Sequence, residues 1–435
     1  MLPSVEPRGP VSEEHSHSAA EGFQKWLAEL RLVAPLCVSF GCALGCYWML
    51  RGMKNALFME LVGPEQLPAA KIASIAFLLV LLVIYGKLVD WLGKRRLLAV
   101  LYFVYACLFA ALTYAFDRAG RHPSLGWGFY LAIESFGSLG VSHLWSLAVN
   151  STRDPDQATR RFPILAVGGQ IGAVLCTFLV SQTAHLFGLV PLLLLSVGLL
   201  ALAPVMALWW LGKNHVPDAV EVEPDEAGLM EGLHLVATRP YLFAILFSVM
   251  SYEFIGTFID YRMNFLAAHT LVTLEKVTWF LAIYGTCANL LSLTFALTGT
   301  SFLVRRLGLS RCLVYYPTAL AVVVLVAAAH PTLWVLFAAQ IALKGLAYGF
   351  NKPCLEMLYV PTSDCIQFKA KSWIDTAGSR CGKAIGSVMN GSLPALFLVS
   401  GGTCISLGII LLWRPVARRL GARHSELLQR GEKLH

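Results

Sequence analysis

The sequence contains few charged residues for its length. Only 14% of its 435 residues are Asp, Glu, Lys or Arg, whereas soluble globular proteins carry about 25%. Because a surface in contact with water needs charged side chains, this deficit excludes an ordinary soluble fold. The apolar residues, 57% of the chain, occur in blocks of roughly 20, the length that crosses the hydrocarbon layer of a membrane.

The sequence also lacks the signatures of enzymes and metalloproteins. No pair of Cys-x-x-Cys motifs and no Cys/His cluster indicates a metal site, and most cysteines lie inside apolar blocks, where a reduced cysteine acts as a small hydrophobe. The segment 378–384 superficially resembles a phosphate-binding loop, but it lacks the required spacing and the Ser or Thr after lysine. We therefore predict no catalytic residues, no metal and no cofactor.

The first 30 residues lack the apolar core of a signal peptide and the acid-poor composition of a transit peptide. This pattern predicts a cytoplasmic tail rather than a cleaved signal or transit peptide.

The basic residues that give the net charge of +8 do not form one patch, which argues against nucleic acid as a partner. Basic residues occur instead in short loops near 94–96, 153–161, 305–311 and 369–371, and the opposite loops near 185, 331 and 392 have none. The positive-inside rule therefore predicts both termini in the cytoplasm.

The apolar blocks predict an all-α membrane protein with about twelve transmembrane helices. The predicted spans are 32–51, 69–90, 97–117, 126–149, 162–184, 187–212, 240–266, 277–303, 312–330, 332–358, 372–391 and 394–413. A polar stretch divides them into six and six, the layout of a two-lobed carrier. The predicted domains are a cytoplasmic tail 1–31, an N-terminal lobe 32–212, a central loop 213–239, a C-terminal lobe 240–413 and a basic tail 414–435.

Two loops in matching places of the two halves indicate an internal repeat. The first reads Gly86-Lys-Leu-Val-Asp90-Trp-Leu-Gly93-Lys-Arg-Arg96 and resembles the GxLxDRxGRR loop of the major facilitator superfamily. The second spans 304–311, and both loops turn at a glycine and carry basic residues. The plainer alternative is a tight positive-inside turn. The resemblance implies a 6+6 major-facilitator-like architecture.

Ionisable residues inside the predicted spans are candidates for a transport pathway, because a charge at membrane depth costs free energy. They are Arg51, Lys54, Lys71, Glu134, Glu253, Asp260, Arg262, Lys344, Lys352, Glu356, Asp375, Arg380 and Lys383. Nine of them are the predicted pathway residues: Arg51, Lys54, Glu134, Asp260, Arg262, Lys352, Asp375, Arg380 and Lys383. Gly378, Gly382 and Gly386 are four residues apart, so they line one helix face and permit close packing.

Arg380, Lys383 and Lys54 would suit an anion, because arginine grips phosphate oxygens through two N–H groups and lysine supplies a point charge. Other interpretations stay open. For Asp260 and Asp375, a role in gating or in a structural ion pair is as consistent with the sequence as contact with the substrate. Arg51, Lys54 and Lys71 fit snorkelling at the membrane interface equally well.

An ordered set of motifs over about residues 45–390 resembles the ATP/ADP translocases, the nucleotide transporters of plastids and intracellular bacteria. Arg51-Gly-Met-Lys54-Asn55 resembles the R-x-x-K-D stretch that ends the family's helix 1. The segments 134–150 and 157–162 resemble its acid-containing helix 4, its LFWxxAN run and its EAKRFY segment. The segments 356–361, 369–375 and 378–383 resemble EMAYIPL, KGKAAVD and GxRxGK in family order.

The resemblance implies exchange of ADP for ATP through a two-lobed cavity. By position, Lys54 and Glu134 match family residues important for transport, and Asp375, Arg380 and Lys383 match the helix 11 motif. Asp260 and Arg262 are the nearest candidates for the acid and base of helix 7. The chain departs from the family at Asn55, where Asp is usual, and at Lys352-Pro-Cys-Leu355, where the family has D-P-T-K.

We therefore predict a monomeric carrier of nucleotides, with ATP:ADP antiport by alternating access as the leading function. The expected location is a bacterial inner membrane or a plastid-type envelope. The alternative is a proton-coupled symporter of another nucleotide or anionic metabolite, in which Glu134 or Asp375 would titrate during the cycle. A membrane-embedded enzyme is the third and weakest hypothesis.

Overall fold

The computed structural model describes residues 11–119, 122–152, 155–214, 227–295, 297, 304, 306–362, 370–392 and 395–430. The helices are α1 (Val11–Leu61), α2 (Leu67–Ala119), α3 (Pro123–Asn150), α4 (Pro155–Phe187), α5 (Val190–Lys213), α6 (Ala227–Thr238), α7 (Pro240–Thr270), α8 (Leu274–Thr294), α9 (Leu309–Ala329), α10 (Leu333–Leu346), α11 (Lys352–Met357), α12 (Ser379–Ser392) and α13 (Ala395–Arg430). A π-helical turn, Ala347–Asn351, joins α10 to α11, and a second, Ile374–Gly378, precedes α12.

The predicted all-α, multi-pass class is confirmed. In the described part of the chain, nine helical stretches are long and apolar enough to cross a membrane. The predicted spans 126–149, 372–391 and 394–413 fall on α3, α12 and α13, which lie outside those nine. The count of twelve therefore stays a prediction.

The helices form two lobes. Helices α1 to α5 pack on one another, with α1 at the centre against α3, α4 and α5, and α7 to α13 form the second lobe around α7. The lobes meet where α4 and α1 pack on α8 and where α2 packs on α12. The elements also extend into segments predicted as tails or loop: α1 begins at Val11, α6 lies within 213–239, and α13 continues to Arg430. Residues 1–10, 215–226 and 431–435 of those segments lie outside the described residues.

The two predicted glycine turns occupy matching positions in the lobes. Gly93 has a φ of 70° and breaks α2 into two membrane-length stretches, and Gly308 has a φ of 82° immediately before α9. A side chain with a Cβ is disfavoured at such a positive φ, so glycine is the residue that allows each turn. This agreement supports the internal repeat. The side chain of Asp90, and residue Arg305 in the second loop, lie outside the described part.

Glycines bring neighbouring helices into backbone contact in both lobes. A Cβ on Gly172 of α4 would collide with the carbonyl oxygen of Gly41 on α1, and a Cβ on Gly45 would lie 2.8 Å from the carbonyl oxygen of Gly172. In the second lobe, a Cβ on Gly382 would lie 2.7 Å from the carbonyl oxygen of Met250 on α7. The predicted glycine face of α12 is therefore a packing surface, as expected where small residues let helices approach.

Replacing Gly172 with leucine should destabilise the N-terminal lobe. The new side chain has no space at the α1–α4 contact, so the helices must separate, at a cost of about 3 kcal/mol or more. Thermal unfolding of the purified protein in detergent measures this as a lower midpoint. Gly198→Leu on α5 is the matched control, because nothing lies within 4 Å of a Cβ there. Equal midpoints for the two variants would contradict the close contact.

Candidate functional site

A cavity of about 490 Å³ lies between the two lobes. Its wall contains segments of α1, α2, α3, α4, α7, α10, the π-helical turn after α10, α11 and α12. Along α1 it reaches from Leu44 to Asn55, about 16 Å at 1.5 Å per residue. The basic side chains in the wall are Arg51, Lys54, Lys71, Lys344, Lys352, Arg380 and Lys383. The acidic ones are Glu134, Glu253 and Asp260. Seven positive and three negative groups give this wall a net charge of +4 when all are ionised.

The structure brings together seven of the nine residues predicted for the transport pathway. Arg51, Lys54, Glu134, Asp260, Lys352, Arg380 and Lys383 all line the cavity. Arg262 and Asp375 do not. Arg262 is buried on α7 away from the cavity wall, and Asp375 is exposed on the π-helical turn before α12. For these two residues the structure therefore shows no contact with the cavity.

Lys54 and Glu134 form an ion pair between α1 and α3, within the N-terminal lobe. Lys54 is 2% exposed, and its ammonium also lies 4.1 Å from the ring centre of Tyr130. A snorkelling lysine would extend to the membrane surface, so this burial favours the interpretation of Lys54 as a pathway residue. The Glu134 side chain is 33% exposed and lines the cavity.

Glu253 is the centre of a second charged cluster, in the C-terminal lobe. Its carboxylate lies 3.5 Å from the ammonium of Lys383 and 3.6 Å from that of Lys344. The hydroxyl groups of Ser379 and Tyr252 each donate to it at 3.0 Å. One buried carboxylate thus holds two lysines, and one positive charge of this cluster is left without a counter-charge.

Glu253 and Lys344 were not among the nine predicted site residues. Their only signal in the sequence was a charge inside an apolar span. That signal does not reveal which way a helix is rotated, and the rotation of α7 and α10 is what turns both groups towards Lys383.

Asp260 connects the two lobes through Lys71. The Lys71 ammonium on α2 donates to the Asp260 carboxylate on α7 at 2.6 Å. Gln340 on α10 donates to the other carboxylate oxygen at 3.3 Å. This contact agrees with the interpretation of Asp260 as a pairing residue between lobes. The sequence left open whether Lys71 snorkels at the membrane interface. In the structure, Lys71 lines the cavity together with Asp260.

Two further polar contacts continue this connection along α7. The Asn55 amide donates to Asn264 at 3.3 Å, and His269 lies 4.0 Å from Glu65. Since α1 ends at Leu61, α2 begins at Leu67 and α7 ends at Thr270, all three contacts lie at the same end of the lobes. The lobes are therefore held together by polar groups at this end of the cavity.

Three basic residues in the wall have no carboxylate partner among the described residues. They are Arg51, Lys352 and Arg380; Arg51 instead lies with its guanidinium 4.9 Å from the ring centre of Trp48. Unpaired guanidinium and ammonium groups at membrane depth are costly unless they meet an anion or water. The arrangement is therefore suited to binding a multiply charged anion.

Comparison with curated proteins identifies distant relatives over nearly the whole chain. The chain is 22% identical to the chloroplastic ADP,ATP carrier protein 2 of Arabidopsis thaliana over 93% of this chain and 76% of the relative. It is 21% identical to the ADP,ATP carrier protein 1 of Rickettsia prowazekii (strain Madrid E) over 92% of this chain and 94% of the relative. No family model matches the sequence.

Solved structures of transporters share the fold. A variant of the nucleoside transporter NupG aligns with a TM-score of 0.59 and 16% identity, covering 91% of this chain and 99% of that one. A bacterial homologue of the human lysosomal transporter Spinster, in an inward-facing conformation, aligns with a TM-score of 0.58 and 12% identity, covering 93% and 99%. With the motifs and the two-lobed helical architecture, these matches confirm the resemblance drawn from the sequence: the chain is a divergent homologue of the plastid and Rickettsia ADP,ATP carrier proteins and shares the fold of these solved transporters.

Proposed function

We propose that the protein is a carrier that exchanges ATP for ADP by alternating access, and that it is not an enzyme. The observation that supports this most directly is the cavity between the lobes, whose wall has a net charge of +4. A nucleoside di- or triphosphate carries several negative charges, and only a site with surplus cations can bind it within a membrane. The names of the plastid and Rickettsia relatives support the same substrate.

Exchange, rather than one-way transport, follows from the charge of the empty site. Without an anion, closing the lobes would bring a wall with a net charge of +4 into a smaller and less hydrated space, where the repulsion between its unpaired cations increases. Bound phosphates neutralise the cations and remove that barrier. The loaded carrier therefore reorients readily and the empty one does not, which couples entry of one nucleotide to exit of another.

The polar contacts at one end of the lobes indicate which state the structure represents. Lys71–Asp260, Asn55–Asn264 and Glu65–His269 join the lobes at the end where α1 stops and α2 starts. The positive-inside pattern assigns this end to the outside and both termini to the cytoplasm. In this proposal the structure is closed to the outside, and one chain forms the complete pathway, so the carrier acts as a monomer in a bacterial or plastid-type membrane.

Proton-coupled symport of a nucleotide or another anionic metabolite is the second candidate. The observation in its favour is the position of Glu134, which lines the cavity with a third of its side chain exposed while paired to Lys54. Gain of a proton by Glu134 would weaken its pair with Lys54, and loss of that proton would restore the pair.

Uptake into proteoliposomes distinguishes these functions. Vesicles loaded with ADP should take up labelled ATP rapidly, and vesicles loaded with buffer should take up little. An imposed proton gradient across unloaded vesicles should make no difference. Uptake driven by the gradient without internal nucleotide would favour symport, and hydrolysis of ATP by the purified protein would contradict the exclusion of an enzyme.

A further inference from the structure

Both lobes contribute charge to the cavity wall, but most of its neutral residues belong to the N-terminal lobe. Lys344, Lys352, Arg380 and Lys383 with Glu253 and Asp260 give the C-terminal side a net charge of +2, and Arg51, Lys54 and Lys71 with Glu134 give the N-terminal side the same. We refer to part of the neutral N-terminal surface as the neutral wall. It consists of Leu44 on α1, Leu78 on α2, Ser138 and Val141 on α3, and Gln170 on α4.

Gln170 is the one amide of the neutral wall, and one of its hydrogen-bonding groups is unused. Its Oε1 atom is buried and has no hydrogen-bond partner among the described residues. A buried amide oxygen without a donor costs free energy, and such a group in a native structure calls for an explanation. Gln170 also lines the cavity, so a rotation of its side chain would present this oxygen to a donor on a bound molecule.

The helix that carries Gln170 is fixed in place. Gly168 and Gly172, two residues to either side, lie against the backbone of α1 at Cys37 and Gly41, and a Cβ on Gly169 would lie 3.1 Å from Leu44. With backbone contacts on both sides of it, α4 cannot slide to give Gln170 another partner. The backbone of Gln170 is therefore held at a fixed position beside the cavity.

We propose that Gln170 binds the hydrogen-bonding edge of the nucleobase, and that the neutral wall is the base subsite. This inference rests on the nucleotide-carrier function proposed above. A base is flat, uncharged and largely apolar on its faces, which suits Leu44, Leu78 and Val141. A glutamine amide both donates and accepts, so it can pair with an amino group and the adjacent ring nitrogen of adenine.

This arrangement makes the substrate a bridge between lobes. With its base on the N-terminal lobe, the nucleotide would extend its phosphates towards the basic groups of the C-terminal lobe. Only a molecule with both parts would occupy the base and phosphate positions together, since inorganic polyphosphate fills only the second and a nucleoside only the first. Gln170 would thus act as a specificity-determining residue.

Competition against labelled ATP uptake into ADP-loaded proteoliposomes tests the inference. The competitors are ADP, the diphosphate of unsubstituted purine riboside, which lacks the 6-amino donor, and inorganic tripolyphosphate. For the wild type, ADP should compete about tenfold better than the purine analogue, because a site built to hydrogen-bond a group rejects the analogue without it. In Gln170→Leu, ADP should fall to the level of the analogue, and inhibition by tripolyphosphate should be unchanged.

Gln182→Leu is the matched control. Gln182 lies on the same helix, is exposed, and is not part of the cavity wall, so this variant should behave as the wild type. Equal competition by ADP and the analogue in the wild type overturns the inference, and this measurement does not depend on any variant folding. Retained preference for ADP in Gln170→Leu also overturns it.

A failure of the proposed nucleotide-carrier function would give a different experimental result from a failure of the Gln170 inference. In that case the wild type takes up no nucleotide at all before any competitor is added, and the inference falls with it. If exchange occurs but base identity is ignored, the carrier function stands and only the role of Gln170 is wrong.

Discussion

Reversing the charge of Lys71 with Lys71→Glu is expected to slow nucleotide exchange at least about 100-fold. The substitution places a second carboxylate against Asp260, where a 2.6 Å ion pair now joins α2 to α7. Two like charges about 4 Å apart near a protein surface repel by about 4 kcal/mol. The lobes would then no longer meet at this end, and the carrier would be held in the opposite state. Exchange rates in ADP-loaded proteoliposomes provide the measurement.

A charge swap separates this explanation from simple misfolding. The double variant Lys71→Glu/Asp260→Lys rebuilds an ion pair with reversed polarity, so it should recover a large part of the lost rate. Lys276→Glu controls for a change in net charge, because Lys276 is exposed near the start of α8 at the same end of the lobes. A double variant as slow as Lys71→Glu would show that the pair does not join the lobes functionally.

Removing the ammonium of Lys383 with Lys383→Ala is expected to reduce exchange of ATP and ADP by roughly 100-fold or more. Lys383 lies in the cavity wall 3.5 Å from Glu253, and its side chain is 44% exposed, so a phosphate can reach it. A hydrogen bond between charged groups contributes about 1.5–3 kcal/mol, and the loss also removes the one positive charge by which Lys383 and Lys344 exceed Glu253. The effect should be smaller for AMP than for ATP, since AMP needs fewer cations.

The charge itself can be tested by restoration. Lys383→Arg keeps a cation at the same position and should retain much of the activity that alanine loses. Lys276→Ala removes an exposed lysine outside the cavity wall and should exchange normally. If Lys383→Ala exchanged ATP and AMP with the same loss, the contact with phosphates would be wrong and a structural role through Glu253 would explain the result.

The sequence predicted the membrane helices and the glycine turns, because hydropathy and the position of a glycine depend only on residues close together in the chain. The turns at Gly93 and Gly308 could be located from composition and basic residues alone, and the structure has a positive φ at both. The count of twelve spans stays a prediction, because α3 and α12 lie outside the nine long apolar stretches: α3 carries Glu134, and α12, with 14 residues, carries Arg380 and Lys383. Glu134 and Lys383 lie on these two helices, so the property that weakens the hydropathy signal is the one that builds the site.

Only the residues of the site that belong to a motif could be predicted from the sequence. Motif spacing indicated Lys54, Glu134 and Lys383, which lie in the cavity wall. It did not indicate Gln170, because an uncharged amide in a glycine-rich helix has no distinctive pattern. Motif spacing also could not reveal that Lys71 contacts Asp260. These residues are 189 positions apart in sequence, and their contact depends on how the two lobes are oriented.

The π-helical turn Ala347–Asn351 can be regarded as one residue inserted into a helix. Each residue of an α-helix turns the chain by about 100°, so an extra one rotates everything after it by that angle without ending the span. Lys352 is the first residue after the turn, and it lies in the cavity wall. Deleting one residue from the turn would leave a regular helix of ordinary length and would move that ammonium towards a neighbouring face. A single inserted residue therefore separates a helix that supplies a cation to the cavity from one that turns this cation away from it.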